Sequence, residues 1–156
     1  MNKIGIINLG NSNLMSLTNP LDFLNVDYTV IDNKRELENI DKIILPGVGS
    51  FGDGVDRLNG VGFFEKIIDE VKNKQKPILG ICLGMQLLFE SSSESIGKKG
   101  LGLLDGEVIK LSESGNYKVP RIGWSSSRVC VDFLGLTKDE NCDFYFVHSY
   151  HVKAKN

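Results

Sequence analysis

One cysteine stands between two glycines at a spacing that suits nucleophilic chemistry. Cys82 lies in the segment Gly80–Gly84, which reads Gly-Ile-Cys-Leu-Gly and follows a short apolar run that begins at Pro77. This is the nucleophile-elbow pattern with cysteine in place of serine, in which a strand turns so tightly into a helix that both glycine positions must lack a side chain. We therefore predict that Cys82 ends a strand and that an apolar helix from Met85 to Phe89 follows it.

This position would also help the thiol chemically. The start of a helix favours thiolate over thiol, and backbone N–H groups of the first helical turn can donate hydrogen bonds to a developing oxyanion. The alternative interpretation is that Cys82 is a small buried hydrophobic residue, which is common for free cysteines. The glycine spacing favours the nucleophile.

A second glycine-rich segment, 46–54, follows the predicted strand 42–45 and contains a Gly-x-Gly-x-x-Gly match at 47–52. A dinucleotide site would need this fingerprint in the first strand–helix–strand unit, with an acidic residue about 20 positions on. Here it follows the third strand, and Asp69 and Glu70 fall on the polar face of a predicted helix. The segment is therefore predicted to be an oxyanion-hole loop beside Cys82, with a purely structural turn as the alternative.

Apolar runs and apolar helical stripes alternate along the first 90 residues. Predicted strands cover 3–7, 28–31, 42–45 and 77–81, and predicted helices cover 14–24 and 64–71. Residues 35–40 are predicted to form a short helix or a turn. We expect Pro20 to kink or restart the first of these helices. Alternation over short connections predicts an α/β fold, an open and mostly parallel sheet with helices on both faces. Ligands in such sheets bind at the carboxyl ends of the strands.

The pattern changes after Phe89. A polar, serine-containing loop is followed by β-like pieces at 107–111, 128–131 and 143–150, which we predict to extend the sheet in an antiparallel or mixed manner. The sequence ends shortly after a strand, without a closing helix. We therefore expect one domain over 1–156 that lacks a C-terminal segment.

Composition narrows the classes of protein. The formal net charge is −2 and the basic residues are dispersed, which argues against a nucleic-acid partner. Three cysteines (82, 130 and 142) and two histidines (148 and 151) show no metal-ligand spacing, so we expect no metal, no cofactor and no disulfide framework. No apolar run reaches membrane-spanning length. We predict a reducing, cytoplasmic location and no membrane partner.

Four segments occur in the order found in class I (triad-type) glutamine amidotransferases, and the chain resembles that family over its whole length. The segments are Leu45–Gly54 (LPGVGSFGDG), Gly80–Glu90 (GICLGMQLLFE), Gly123–Trp124 and Tyr145–Tyr150 (YFVHSY). Within the family the chain is most similar to the glutaminase subunits of imidazole glycerol phosphate synthase. The resemblance implies a flavodoxin-like fold, hydrolysis of glutamine, and passage of ammonia to a (β/α)8-barrel synthase subunit in a heterodimer that serves histidine biosynthesis.

The resemblance also assigns roles to residues. Cys82 would be the nucleophile that forms a glutamyl thioester, and the N–H groups of Gly49 and Leu83 would bind the oxyanion. The remaining assignments are Gln86, Glu94 and the backbone of Ser149 and Tyr150 for the glutamine head group, and Arg121 and Trp124 for the partner interface.

Three departures from the family pattern bear on these expectations. The catalytic histidine and glutamate of the family lie in a Phe-His-Pro-Glu type segment that this sequence does not contain, so the chain as written is predicted to be inactive. His148 belongs to another motif and is predicted to be packed or hydrogen-bonded. Arg121 stands where the family usually has histidine, and Ser12 where it usually has glycine.

These departures leave two alternatives open. One is a paralogous glutaminase subunit that feeds a surface-sugar amidating enzyme. The other is a non-catalytic flavodoxin-like domain that keeps the elbow for redox sensing or regulation.

Overall fold

The four predicted strands pair in parallel, which confirms the predicted class of fold. They are β1 (Ile4–Ile7), β2 (Tyr28–Ile31), β3 (Lys42–Gly47) and β4 (Ile78–Cys82), in the sheet order β2-β1-β3-β4. β1 and β3 are neighbours although β2 lies between them in sequence, so the strand order reverses there. Such a switch point leaves a crevice at the carboxyl ends of the strands.

The computed structural model describes residues 3–10, 12–113, 118–133 and 135–155. The chain divides into two units, residues 1–109 with 152–156 and residues 110–151. The single amidotransferase domain over 1–156 stays a prediction. Within the described residues, no helix is both long and apolar enough to span a membrane.

The first unit contains several helical segments, and all of them except the first bury at least one residue. They are α1 (Met15–Phe23), a 3₁₀-helix (Lys34–Asn39), α2 (Phe51–Gly60), α3 (Phe63–Ile68), a π-helical turn (Asp69–Asn73) and α4 (Leu83–Gln86). Strand and helix side chains bury a common apolar core, since these contacts remove their surface from water. Its large fully buried members include Ile6, Ile7, Ile31, Ile43, Leu45, Phe51, Leu58, Phe63 and Ile67.

The expectation that Pro20 restarts the first helix is wrong, and a kink at Pro20 stays a prediction. α1 is one helix from Met15 to Phe23 with Pro20 inside it, and none of its residues is buried. Proline removes the N–H that would bond the carbonyl of Ser16. Because Ser16 is exposed, water can donate a hydrogen bond to its carbonyl oxygen, and the helix can continue past Pro20.

The placement of Glu70 on a polar helix face is also wrong. The helix widens into a π-helical turn at Asp69–Asn73, which breaks the 3.6-residue period assumed for that face. Glu70 is fully buried, with the ammonium groups of Lys66, Lys74 and Lys76 at 3.0, 2.7 and 2.6 Å. Burial raises the pKa of Glu70, but the hydrogen bonds from these lysines outweigh it and bring the pKa to about 2.

The second half of the chain forms two small sheets instead of an extension of the first. β5 (Ser91–Ser92), β6 (Gly106–Lys110) and β9 (Tyr150–Ala154) make one, and β7 (Arg121–Arg128) pairs antiparallel with β8 (Asn141–His148) in the other. The predicted strand at 128–131 is wrong, because the strand precedes it. β7 was missed because it contains one glycine and three serines, so its sequence does not show the regular alternation of apolar and polar residues that is typical of a strand.

Candidate active site

The backbone at Cys82 has the unusual conformation that an elbow requires. Cys82 ends β4, α4 begins at Leu83, and the Cys82 φ and ψ angles are 55° and −118°. A positive φ in a residue with a Cβ atom costs on the order of 1–3 kcal/mol and persists only where surrounding structure enforces it. The Cys82 side chain is exposed, so the interpretation as a buried hydrophobic residue is wrong.

The two flanking glycines provide that enforcement. A Cβ atom added to Gly84 would lie 1.8 Å from the carbonyl oxygen of Leu45, and one added to Gly80 would lie 2.5 Å from the Cα of Met85. Both distances are far inside van der Waals contact. The steric reason given for the Gly-x-Cys-x-Gly spacing is therefore confirmed.

The helix behind the cysteine is shorter than predicted. α4 covers only Leu83–Gln86, so the predicted helix from Met85 to Phe89 is wrong. The residues after α4 continue in tighter turns, since the N–H of Leu88 bonds the carbonyl of Met85. One helical turn adds little macrodipole. What the turn does offer is the N–H of Leu83, which has no partner within the helix because it lies in the first turn.

The glycine-rich segment 46–54 is mostly regular structure and not a loop. β3 continues to Gly47, which lies opposite Cys82 in the parallel register, and α2 begins at Phe51. Only Val48–Ser50 remains as a loop, with Gly49 at a φ of 100°. Neither candidate acidic partner of a dinucleotide is at a strand end. The Glu70 carboxylate is buried among lysines, and Asp69 accepts a hydrogen bond from Asn73 within the π-helical turn.

A cavity of about 160 Å³ lies at the carboxyl ends of β1, β3 and β4. Its lining is Ser12, Asn13, Ser16, Leu17, Pro46, Gly47, Val48, Ile81 and Cys82. Of the predicted site residues, Cys82 alone is in this lining. Sequence reasoning missed the contribution of the α1 start, although the polar turn after β1 could have indicated it. The Ser12 hydroxyl oxygen is buried and has no hydrogen-bond partner in the described part of the chain.

The residues predicted to hold glutamine lie in both units. Gln86 ends α4. Glu94 lies in the loop after β5, where its Oε2 accepts a hydrogen bond from the Phe51 N–H at 2.7 Å. Ser149 and Tyr150 follow β8, and the Ser149 carbonyl accepts from the Leu111 N–H at 2.8 Å. Their contact with glutamine stays a prediction, as do the oxyanion roles of Gly49 and Leu83.

The β7–β8 ribbon of the second unit exposes an apolar face. Ile122 lies opposite Val147, and Trp124 opposite Tyr145, in the antiparallel register. All four side chains are exposed, Trp124 by 74%. The Trp124 and Tyr145 rings meet edge to face, with centroids 5.6 Å apart. We call these four residues the Trp124 face.

Arg121 lies on the other side of that ribbon, because side chains three positions apart in a strand point in opposite directions. Its guanidinium carbon lies 3.9 Å from the ring centroid of Phe146. His148 is on the Phe146 side too, and its Nδ1 lies 2.9 Å from the Tyr150 carbonyl oxygen. A carbonyl only accepts, so Nδ1 carries the proton. The prediction that His148 is hydrogen-bonded is confirmed.

Residues 5–156 match the family model of class I glutamine amidotransferases. The chain belongs to this family. Solved structures agree at the level of the fold. A crystal structure of a glutamine amidotransferase superposes with a TM-score of 0.75 at 17% identity, over 98% of this chain and 75% of that one. The structure of PurLQS from Thermotoga maritima gives 0.70 at 18% identity, over 99% and 70%.

Several relatives are more similar to this chain in sequence than these solved structures are, and they share the name imidazole glycerol phosphate synthase subunit HisH. The Pyrococcus furiosus protein is 46% identical over 97% of this chain and 73% of its own length, and the Bacillus subtilis protein 44% over 96% and 72%. A Campylobacter jejuni protein, HisH 1, is 38% identical over 98% and 77%. This chain thus spans about three quarters of the length of these relatives.

Proposed function

We propose that this chain is the glutaminase subunit of an imidazole glycerol phosphate synthase, which releases ammonia from glutamine for a (β/α)8-barrel partner subunit. Identity of 38–46% to proteins with the HisH name supports the choice within the family. The single observation that carries the chemistry is the elbow at Cys82, whose thiol is exposed on a backbone held by Gly80 and Gly84. The cytoplasmic location stays a prediction.

The reaction follows from what the elbow offers. The Cys82 sulfur attacks the carbonyl carbon of the glutamine amide, and the carbonyl oxygen becomes an oxyanion. The N–H groups of Leu83 and Gly49 would stabilise this oxyanion, and losing one such donor typically costs a factor of 10²–10³ in rate. The C–N bond breaks as the nitrogen gains a proton and leaves as ammonia. Water then hydrolyses the thioester to glutamate and restores the thiol.

The proposal is tested with a chloroketone analogue of glutamine, which Cys82 attacks with loss of chloride to give a thioether. We expect Cys82 to react at least ~10-fold faster than Cys130, because only Cys82 stands at the predicted glutamine site. Iodoacetamide is the matched reagent, and it should label both thiols since both are exposed. Free glutamine should protect Cys82 from the chloroketone. Equal labelling of all three cysteines, mapped by peptide mass spectrometry, would contradict the proposal.

The Trp124 face is the surface proposed for the barrel partner. Ile122, Trp124, Tyr145 and Val147 together present a contiguous apolar patch, and aromatic residues dominate binding energy at protein interfaces. Arg121 was predicted to share this interface, but its side chain lies on the opposite face of the ribbon against Phe146. Trp124 is therefore the sharper probe of docking.

One observation favours an alternative function, in which the ammonia goes to a different partner enzyme. Arg121 occupies the position where the family usually has histidine, on the ribbon assigned to the partner. A paralogous subunit that feeds a surface-sugar amidating enzyme is the candidate. Binding measured side by side with a barrel synthase subunit and with such an amidating enzyme separates the two, because only the true partner should bind through Trp124.

A further inference from the structure

The first turn of α2 is held by two side chains from a distant loop. The Phe51 N–H donates to Glu94 Oε2 at 2.7 Å, and the Gly52 N–H donates to Ser95 Oγ at 2.9 Å. The Asp53 N–H donates to Ser50 Oγ at 3.2 Å. The first N–H groups of a helix have no partner within the helix. Here three of them are satisfied by side chains, two of which lie 43 residues further along the chain. We call Glu94 and Ser95 the clamp.

The clamp loop is itself fixed. The Glu94 N–H donates to Ser92 Oγ at 3.1 Å, and the Ser93 N–H donates to the Val108 carbonyl of β6 at 2.8 Å. The approach to α2 is also close, because a Cβ atom at Gly52 would lie 2.8 Å from Ser95 Oγ. Glycine at position 52 is therefore what allows the clamp to reach the helix.

The clamp fixes one end of the loop that contains the predicted oxyanion donor. Val48–Ser50 is only three residues long, and at its other end Gly47 is paired with Cys82. α2 is fixed further along as well, since a Cβ at Gly54 would lie 3.0 Å from Leu87 Cδ1, just beyond α4. A three-residue loop with both ends held has few conformations left. The direction of the Gly49 N–H therefore depends on where α2 begins.

We propose that Glu94 and Ser95 are positioning residues that aim the Gly49 N–H at the oxyanion formed on Cys82. This inference deepens the proposed glutaminase function and rests on it. It gives the clamp loop two tasks, because Glu94 is also predicted to contact the glutamine head group. A carboxylate can do both, since its two oxygens accept separate hydrogen bonds. Ser95 has the positioning task alone.

The two tasks predict different kinetic effects. They can be separated by measuring the rate of Cys82 alkylation at increasing concentrations of the glutamine chloroketone, with intact-protein mass spectrometry as the readout. Ser95→Ala removes the acceptor of the Gly52 N–H. It should lower the limiting alkylation rate about 10-fold, with half-saturation unchanged within about twofold. The thiolate first adds to the ketone carbonyl to give a tetrahedral oxyanion, and the sulfur then displaces chloride, so a misdirected oxyanion donor slows the addition and not binding. Glu94→Gln keeps an oxygen for the Phe51 N–H but loses the charge, so it should raise half-saturation more than it lowers the limiting rate.

Ser93→Ala is the matched control. Ser93 lies in the same loop with an exposed side chain, and only its backbone is used in bonding to β6. Ser93→Ala should leave both kinetic parameters unchanged. Iodoacetamide, which needs no oxyanion stabilisation, should alkylate Cys82 at the same rate in all of these proteins. Thermal unfolding of each variant confirms that it is folded.

The outcomes separate the inference from the function on which it rests. If the unmodified protein shows no preference of the chloroketone for Cys82 over Cys130, the glutaminase proposal is wrong. If that preference holds but Ser95→Ala matches Ser93→Ala, the clamp does not position the donor, and the inference is overturned. If Ser95→Ala slows iodoacetamide equally, the variant has displaced the thiol itself, which also overturns it.

Discussion

At the scale of single residues, the elbow exists because two positions carry no side chain. Gly84→Ala would place a Cβ atom 1.8 Å from the Leu45 carbonyl oxygen. The backbone of β3 or α4 must then move, and we expect the free energy of unfolding to fall by at least ~3 kcal/mol. Denaturant unfolding followed by circular dichroism measures this change.

Gly60→Ala is the control for that substitution. Gly60 is the last residue of α2, and an added Cβ atom there has nothing within 4 Å. Alanine is the better helix former, so stability should stay the same or rise by up to ~1 kcal/mol. Similar losses in both variants would show that the steric account of the elbow is wrong.

Local spacing allowed the nucleophile to be predicted but not most of its surroundings. Cys82, Gly80 and Gly84 lie within five residues, and sterics alone connect them. The hydrogen bond from the Phe51 N–H to Glu94 joins residues 43 positions apart, and no local sequence pattern specifies such a contact. The polar turn that contains Ser12 could be recognised in the sequence, but its place in the cavity beside Cys82 depends on the sheet, which brings β1 beside β3.

At the scale of elements, the Trp124 face is expected to bind the barrel partner. Trp124→Ala should weaken the complex about 30-fold, since a central aromatic residue of an interface contributes on the order of 2 kcal/mol or more. Titration calorimetry with the barrel subunit measures the dissociation constant. Ile96→Ala is the control, because Ile96 is an exposed apolar residue of the other unit. Equal affinity of both variants would place the docking surface elsewhere.

Glu70, in the π-helical turn, should make the free energy of unfolding depend on pH in the acidic range. A pKa lowered from 4.5 to about 2 means that the charged carboxylate stabilises the fold above pH ~4.5, and that this stabilisation is lost as the pH falls towards 2. Glu70→Gln should therefore cost roughly 3 kcal/mol at pH 7. It should also flatten the loss of stability between pH ~5 and 2, measured by urea unfolding across that range.

Glu38→Gln is the companion variant. Glu38 bonds the same Lys66 ammonium group at 2.7 Å, but its side chain is 58% exposed. Solvent screens such a pair, so the acid dependence of unfolding should stay close to that of the unmodified protein. A Glu70→Gln variant that behaves like Glu38→Gln would contradict the structural role of the buried carboxylate.

The elements that were predicted correctly are those with a strong apolar period. β1 to β4 are short apolar runs, and both their existence and their parallel pairing could be predicted. β1, β2 and β3 contribute buried residues, whereas β4 lies at the sheet edge and none of its residues is buried. Errors arose where tertiary contacts decide the local form. Three lysines hold the π-helical turn around Glu70, and pairing with β8 makes a strand of the serine-rich β7.

At the scale of the whole molecule, residues 1–156 contain two histidines. His148 Nδ1 is bonded to the Tyr150 carbonyl, and neither His148 nor His151 stands in a Phe-His-Pro-Glu segment. Proton transfer to the leaving nitrogen needs a general acid within hydrogen-bond reach. We predict that a polypeptide of residues 1–156 releases no ammonia from glutamine, with or without a barrel subunit, in a coupled glutamate assay.

A fusion tests the reason for this prediction. Appending the segment of a relative that contains the His-Pro-Glu motif should produce glutamine hydrolysis that Cys82→Ala abolishes. Steady hydrolysis by residues 1–156 alone, sensitive to Cys82→Ala, would instead make His148 or His151 the base. Cys82 would then keep its predicted role as nucleophile and Gly49 its predicted role as oxyanion donor, and only the assignment of the histidines would be wrong.

The backbone angles of Cys82 have a consequence for how this chain could change over time. Glycine adopts a positive φ without penalty, so Cys82→Gly should raise the melting temperature while it removes the thiol. A lineage released from glutamine chemistry would therefore gain stability from that single exchange. The presence of cysteine at φ 55° is a cost that only a use for the sulfur repays, which speaks against a purely architectural role for the elbow.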